Sequence, residues 1–407
     1  MVQETERFEL LKHLGTGAFG QTWRVRVIDP ILIQRWKRDE VAIKIPLSRE
    51  KEEALETEAT LLGSLMLQPK KERINIIEYL GIKTYDGKIV MVMKYYQDGN
   101  LRDVIGKLWH WKKMRLEDAI PIALGILNGI SMIHKHHILH RDIKPENILM
   151  DDGIPKIADF GISRHVEPDE MASTAAGALY YMSPELLFGK CGYSFNTDIW
   201  SFGITFYEML CGRFPFGIEK NMPQGKVMDM IRDSSVKVLF PKEVAIPVPL
   251  QSIILKALDR NPHSRYKTAD SVLKDITSFI SQGDKNTVKE EIEKIRSIIN
   301  DPTQAHAAES KLKEIMGRFP DSPLPCRELG MFYNRYGDYD RAIEMFRKGI
   351  EKDSDNARLH FCLAISYHNK GDSKHTSEAL KKSEELGLEK DLTTKEKAIL
   401  RSLKKKV

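Results

Sequence analysis

Residues 140–149, HRDIKPENIL, and 158–161, ADFG, hold the side chains with the plainest chemistry. Asp142 is a carboxylate able to accept the proton of a hydroxyl. Asn147 and Asp159 are amide and carboxylate oxygen donors, the kind a hard cation such as magnesium prefers. Phosphoryl transfer asks for this set: its transition state needs little covalent help, so the protein aims a hydroxyl, holds phosphates and neutralises charge. His140, an isolated loop histidine, reads as a packed structural residue rather than a ligand.

Elements upstream must bring phosphates to those groups. Gly15, Gly17 and Gly20 fit G-x-G-x-x-G, a spacing that lets backbone amides approach phosphate without side-chain obstruction. A dinucleotide-binding turn would continue into a helix. Here TWRVRVI follows, alternating and β-branched, which predicts a strand. VAIK, residues 41–44, predicts another strand carrying Lys44, and the segment between them, DPILIQRWKRD at 29–39, reads as a long loop. Apolar residues at helical spacing after Ser48 predict an amphipathic helix, and 76–82 and 88–96 predict two more strands. Residues 101–108 and the apolar run 119–134 predict helices that end just before the catalytic stretch.

Taken together, these motifs resemble the eukaryotic-type serine/threonine protein kinase family, over about 8–280 and with every core motif present. The resemblance implies an α+β, two-lobed kinase fold across 1–282, with an N-lobe of about 1–96 and a C-lobe of about 97–282. It implies that ATP and Mg2+ are used, and that Leu14, Gly15, Gly17, Gly20, Thr22, Ala42, Lys44, Met93, Tyr96 and Leu149 surround the nucleotide. Thr22 stands where the family's motif has valine and keeps one methyl for the adenine roof. Lys44 is implied to meet the phosphates, with Glu58 as its helix partner and Glu56 as the second candidate. Asp142 is implied as the base, Lys144 as the cation steadying the transferred phosphoryl, and Asn147 and Asp159 as the magnesium ligands. Asp198 is implied to brace the catalytic loop, and Arg265 to pair with Glu185. Lys94, where many relatives have glutamate, is read as neutral.

Arg141 belongs, by the same resemblance, to a basic pocket that answers a phosphate on the activation segment, since arginine binds that group bidentately. Thr174 is the implied phosphosite and Ser173 the second candidate. Ala178 departs from the family, which usually places threonine after that glycine to tie the catalytic aspartate to the lysine. That loss keeps a rival function in play, a catalytically silent scaffold with a kinase fold. A kinase acting on tyrosine or a small molecule is disfavoured by Lys144 and the long activation segment.

Beyond SQGDKNTV the pattern becomes wholly helical, which places a boundary at 282/283. Cys326, Leu329, Gly330, Tyr333, Ala342 and Phe346 fall on the tetratricopeptide spacing W-x-x-L-G-x-x-Y and A-x-x-x-F. A step forward finds His360, Leu363, Ala364, Tyr367, Thr376 and Leu380; a step back finds Ile292, Ile295, Ile299, Ala308, Leu312 and Pro320, each looser. Residues 283–407 thus resemble tetratricopeptide (TPR) repeats with a capping helix, an all-α solenoid whose groove takes a protein or peptide ligand. Unrelated helical hairpins are the plainer alternative. The kinase half would take protein substrates.

Bulk properties agree with such a chain. Its 407 residues exceed a single core, and 30% charged with 42% hydrophobic residues is ordinary for a globular protein. The net charge of +5 comes without basic runs interleaved with aromatics, so nucleic acid is not expected as a partner. No uninterrupted apolar stretch predicts a membrane span, and the charged N-terminus lacks a signal-peptide core. The four cysteines form no C-x-x-C pair. A cytoplasmic location is expected.

Overall fold

Five runs of alternating or β-branched residues pair into one antiparallel sheet: β1 (Phe8–Thr16), β2 (Gly20–Val27), β3 (Glu40–Pro46), β4 (Tyr79–Tyr85) and β5 (Lys88–Lys94), in the order β1-β2-β3-β5-β4. The run after the glycines is strand, as its alternation predicts. The register sets Thr22 opposite Lys44, and Ala42 opposite Met93. Directly opposed residues in an antiparallel pair share a face, as do residues two apart along a strand, so these four lie on one side of the sheet. The computed structural model describes residues 7–17, 20–108, 114–160, 178–189, 194–388 and 394–406. Thr174 and Ser173 fall outside them.

The connection at 29–39 is not the loop its length suggests. It holds α1 (Pro30–Trp36), whose N-terminus is capped by the Asp29 carboxylate accepting from the Ile31 amide at 2.8 Å. Pro30 preorganises the first turn, and Lys37 ends the helix in the left-handed region at φ 55°. Leu32 and Trp36 are buried against Phe8, Val25 and Val27, and the Trp36 ring stacks on Phe8 with centroids 6.4 Å apart. The next helix, α2 (Glu52–Met66), buries Leu55, Ala59, Leu62 and Leu65, the stripe expected of its spacing. Glu58 shares that buried face while Glu56 is exposed, which separates the two candidates by helical phase.

After this sheet the chain forms α3 (Leu101–Leu108), α4 (Leu116–Lys135) and a hairpin, β6 (Ile148–Asp151) with β7 (Ile154–Ile157). Then come α5 (Pro184–Leu187), α6 (Phe195–Cys211), α7 (Gln224–Arg232), α8 (Val248–Ala257) and α9 (Ala269–Lys294). Of the described helices, α4 alone is long and apolar enough to cross a membrane, yet it is a core helix: Ala123, Ile126, Leu127, Ile130 and Ile133 are fully buried. Every residue of α6 from Thr197 to Cys211 is buried. A helix apolar all round belongs inside a domain, and the capping box of Ser194 and Thr197 answers its first amides.

The chain divides into two compact units, Met1–Thr277 and Ser278–Val407, with the division inside α9 and a few residues before the compositional change. The second unit adds α10 (Arg296–Asn300), α11 (Ala305–Arg318), α12 (Pro323–Arg335), α13 (Tyr339–Lys352), α14 (Ala357–Lys370), α15 (Ser373–Glu385) and α16 (Thr394–Lys406), with no strand among its described residues. Cys326, Leu329, Tyr333, Ala342 and Phe346 are all buried, and so are Leu363, Ala364, Tyr367, Thr376 and Leu380 one repeat on. The backward copy is less regular. Ile295 sits at a break between α9 and α10, and Pro320 is exposed.

Gly330 is small because a Cβ there would lie 2.6 Å from the Phe346 ring. Gly330→Val is therefore expected to destabilise the second unit by about 1–3 kcal/mol through overpacking. Urea unfolding followed by circular dichroism reads this as a lower midpoint, whereas Gly317→Ala, where a Cβ meets nothing within 4 Å, does not lower it.

Candidate active site

The two lobes of the first unit meet around Lys44. Its ammonium donates to Glu58 Oε2 at 2.8 Å and also to Asp159 Oδ1. Glu58 accepts the Phe160 amide on its other oxygen at 3.2 Å, so α2 is tied to the strand lysine and to the start of the DFG turn together. Burial opposes the charge on Lys44, but Asp159 and Glu58 outweigh it and raise its pKa, which keeps the ammonium protonated. Burial pushes Glu58 upward against the pull of Lys44. Asp159 is held below the usual carboxylate range, chiefly by Lys44. Asp159 sits at φ 58°, a left-handed conformation that a non-glycine residue holds only when its surroundings impose it.

Below this pair, Asp142 Oδ2 accepts from Lys144 Nζ at 2.8 Å and from Asn147 Nδ2 at 2.9 Å. The same Asn147 nitrogen reaches the Asp142 carbonyl at 2.9 Å, closing the loop on itself. Because Asn147 uses its amide nitrogen in this way, its carbonyl oxygen is the atom left to meet a cation. The backbone of this loop is suspended from Asp198 on α6. Oδ2 accepts the His140 amide at 3.0 Å and bonds His134 Nε2 at 2.8 Å, and Oδ1 accepts the Arg141 amide at 2.8 Å. Burial would raise the Asp198 pKa, but these donors and the nearby histidines lower it. His140 packs fully buried, donating from Nε2 to the Ala158 carbonyl while Nδ1 accepts the Asp142 amide. It is a structural residue, as read from its loop setting.

The remaining predicted residues line the space above. Gly17 donates to the Gly20 carbonyl at 2.8 Å, and a Cβ on Gly20 would meet the Ile45 carbonyl at 2.6 Å, so only glycine fits there. Ala42 and Met93 are buried side by side on the sheet; Thr22 and Leu149 are half-buried, and Leu14 is exposed at the rim. Tyr96 is buried, its hydroxyl accepting the Glu78 amide at 2.9 Å. Asp142, Lys144 and Asn147 thus form one hydrogen-bonded cluster, and Lys44, Glu58 and Asp159 a second one. Glu185 and Arg265 pair bidentately at 2.8 and 3.1 Å, both buried.

Two contacts were not foreseen. Lys94, read as neutral, makes an ion pair with Asp151 at 2.7 Å, fastening the end of β5 to β6. His134, half-buried at the end of α4, adds a side-chain bond to Asp198. Its placement before an HRD stretch was visible; its partner, sixty-four residues away, was not.

One wall of the cleft thus carries a lysine held between two carboxylates, and the other a carboxylate oriented by a lysine and an asparagine. Comparison with known proteins gives the class. Residues 8–276 match the protein kinase domain, and residues 332–371 match the TPR repeat. The chain belongs to the protein kinase family.

Among its relatives is a probable serine/threonine-protein kinase of Clostridium perfringens, 29% identical over 282 residues, covering 66% of this chain and 38% of the relative. Calcium-dependent protein kinase 27 of Arabidopsis thaliana is 31% identical over 285 residues, covering 66% and 54%. A mitogen-activated protein kinase kinase of Pyricularia oryzae is 30% identical over 269 residues, covering 64% and 61%. The chain therefore spans less than two thirds of the length of each of these relatives.

The buried His140 ring has its pKa lowered from 6.5, first by burial. In the unfolded chain the ring takes its proton near 6.5, while in the fold it stays neutral to lower pH, so acid favours the unfolded state. Stability is expected to fall as pH drops below 6.5, and His140→Asn, though less stable overall, should show a shallower fall. Urea midpoints for both proteins on either side of that pH check it.

Proposed function

We propose that this chain is an ATP- and magnesium-dependent serine/threonine protein kinase whose TPR repeats bind a protein or peptide and so bring in substrate or regulator. The observation that carries this is the pair of hydrogen-bonded clusters in which Lys44 bridges Glu58 and Asp159 while Lys144 and Asn147 converge on Asp142 Oδ2. The donor set suits magnesium: a carboxylate oxygen from Asp159 and an amide oxygen from Asn147 are hard ligands. Magnesium is usually held by one or two protein groups plus substrate phosphates, which two such ligands suit. Bound there, the ion would supply charge neutralisation at the phosphates.

The chain's own residues do the rest. Lys44, locked by Glu58, offers a fixed cation to phosphate oxygens. Asp142, held on Oδ2 by two donors, presents its carboxylate to the substrate hydroxyl and takes its proton. Lys144 keeps a positive charge beside the transferred group and the attacking oxygen. Thr22, Ala42, Met93 and Leu149 give the base of the nucleotide an apolar slot, with Leu14 at its rim and the segment through Tyr96 along its edge. Gly15, Gly17 and Gly20, having no side chains, leave room for phosphate to approach the backbone of this turn. The silent-scaffold alternative is not favoured, since Lys44, Glu58, Asp142, Asn147 and Asp159 are all present, even though Ala178 lacks the usual hydroxyl. Phosphorylation at Thr174, or at Ser173, is proposed to switch the enzyme on, and the cytoplasm is its proposed compartment. Nucleic acid and membranes are not proposed as partners.

Asp142→Asn is expected to lower phosphate transfer from ATP by about a hundredfold to ten-thousandfold while nucleotide binding persists. Labelled-ATP transfer and a nucleotide titration measure the two separately. Incubation of the purified chain with magnesium and ATP, followed by mass spectrometry, should place phosphate on Thr174 or Ser173 in the wild type and nowhere in Asp159→Ala. Wild-type protein that binds ATP and carries no phosphate on any residue or added substrate would sink the kinase assignment.

A further inference from the structure

The guanidinium of Arg102, on the first turn of α3, joins three other parts of the C-lobe. Its Nε donates to Glu146 Oε1 at 2.8 Å. Its Nη1 and Nη2 grip Glu208 bidentately at 2.5 and 3.1 Å, and Nη2 also reaches the Tyr181 hydroxyl. Tyr181 in turn donates to Glu208 Oε2 at 2.5 Å. Glu208 lies on α6 with no exposed surface, so it is an acid that must be answered from within the chain. Tyr181 ends the short turn Ala178–Tyr181, and Glu146 is the middle residue of the turn Pro145–Asn147. That second turn lies between Lys144 and the strand β6, and it contains Asn147. Both Lys144 and Asn147 are bonded to Asp142 Oδ2.

We propose that Arg102 is a positioning residue for phosphoryl transfer, holding the Pro145–Asn147 turn, and through it Lys144 and Asn147, against the buried acid of α6. The inference rests on the kinase assignment above. Satisfying Glu208 needs only the two Nη groups and Tyr181. The third contact, from Nε to Glu146, adds nothing to that buried acid and reaches the catalytic turn instead. A planar fork with five donors can serve three acceptors on separate elements at fixed angles, which a lysine ammonium cannot. The group is also open enough to be tested chemically: 20% of the Arg102 side chain and 42% of the Glu146 side chain are exposed.

The test uses the full chain as wild type, Glu146→Ala, Arg102→Ala, Arg102→Lys and an Asp142→Asn blank. Two readouts are taken: steady-state phosphate transfer from ATP to casein, and amide hydrogen exchange over 144–151 without nucleotide. Glu146→Ala leaves the Arg102–Glu208 pair in place, so it separates positioning from folding. It is expected to lower kcat about fivefold to tenfold with little change in KM for ATP, and to speed exchange in the turn. Arg102→Ala should lose more, and added guanidinium ion should restore part of its rate, while Arg102→Lys stays impaired. Wild-type kcat and wild-type exchange in Glu146→Ala would overturn the proposal. If the wild type transfers no more phosphate than the Asp142→Asn blank, the kinase assignment has failed, and the exchange readout alone decides whether Arg102 holds the turn.

Discussion

The site hangs from a carboxylate that water does not reach. Asp198 is fully buried, and an uncompensated charge in such a place would cost several kcal/mol, so its oxygens have to be met by donors. The donors are the backbone amides of His140 and Arg141 and the ring of His134. Two of these amides belong to the catalytic loop itself. The requirement that satisfies the acid therefore fixes the course of that loop and holds Arg141 at φ 66°, a conformation it would not choose alone. Glu208 repeats the arrangement about three turns further along α6, with Arg102 and Tyr181 as its donors. One buried helix thus carries two acids, and each orders a part of the cleft.

Across the cleft the balance of charge has the opposite purpose. Lys44 stands alone between Glu58 and Asp159, which leaves the cluster one negative charge in excess at neutral pH. A structural ion pair would be balanced. An excess of one carboxylate, half-exposed at Asp159, is what a site would show if it were completed by a cation from solution. The buried pair with Glu58 matters more for geometry than for stability, because it sets where the ammonium points.

Local pattern made much of this legible. The strand after the glycines, the α2 stripe and the buried positions of the TPR repeat from Cys326 to Phe346 follow from period and spacing, while the Asp142–Asn147 loop is legible through its resemblance to the kinase motif. Glu58 is preferred to Glu56 already by its position relative to Leu61, Leu62 and Leu65, and the phase of α2 agrees, since Leu55, Ala59 and Leu62 are buried on the face that carries Glu58. Contacts between distant side chains were illegible for a different reason. Lys94 and Asp151, or Arg102 with Glu146, Tyr181 and Glu208, are surface-type residues whose meaning depends on which elements the fold lays side by side. The break at Ile295 was hidden too, because apolar spacing continues through it while the backbone does not. The helix at Pro30–Trp36 was misread although its signal was present: an aspartate before a proline is a start, and the short run of apolar residues behind it completes the turn.

That helix has a consequence for the history of the chain. Leu32 and Trp36 are the cover over Phe8, Val25 and Val27 on the outer face of the sheet. A shorter connection between β2 and β3 would strip that cover and leave an aromatic and two valines facing water. The length of the insertion and the oiliness of the strands beneath it must therefore be inherited together: a descendant that trims one has to make the other polar, and a designer grafting this lobe onto another kinase body has to carry both.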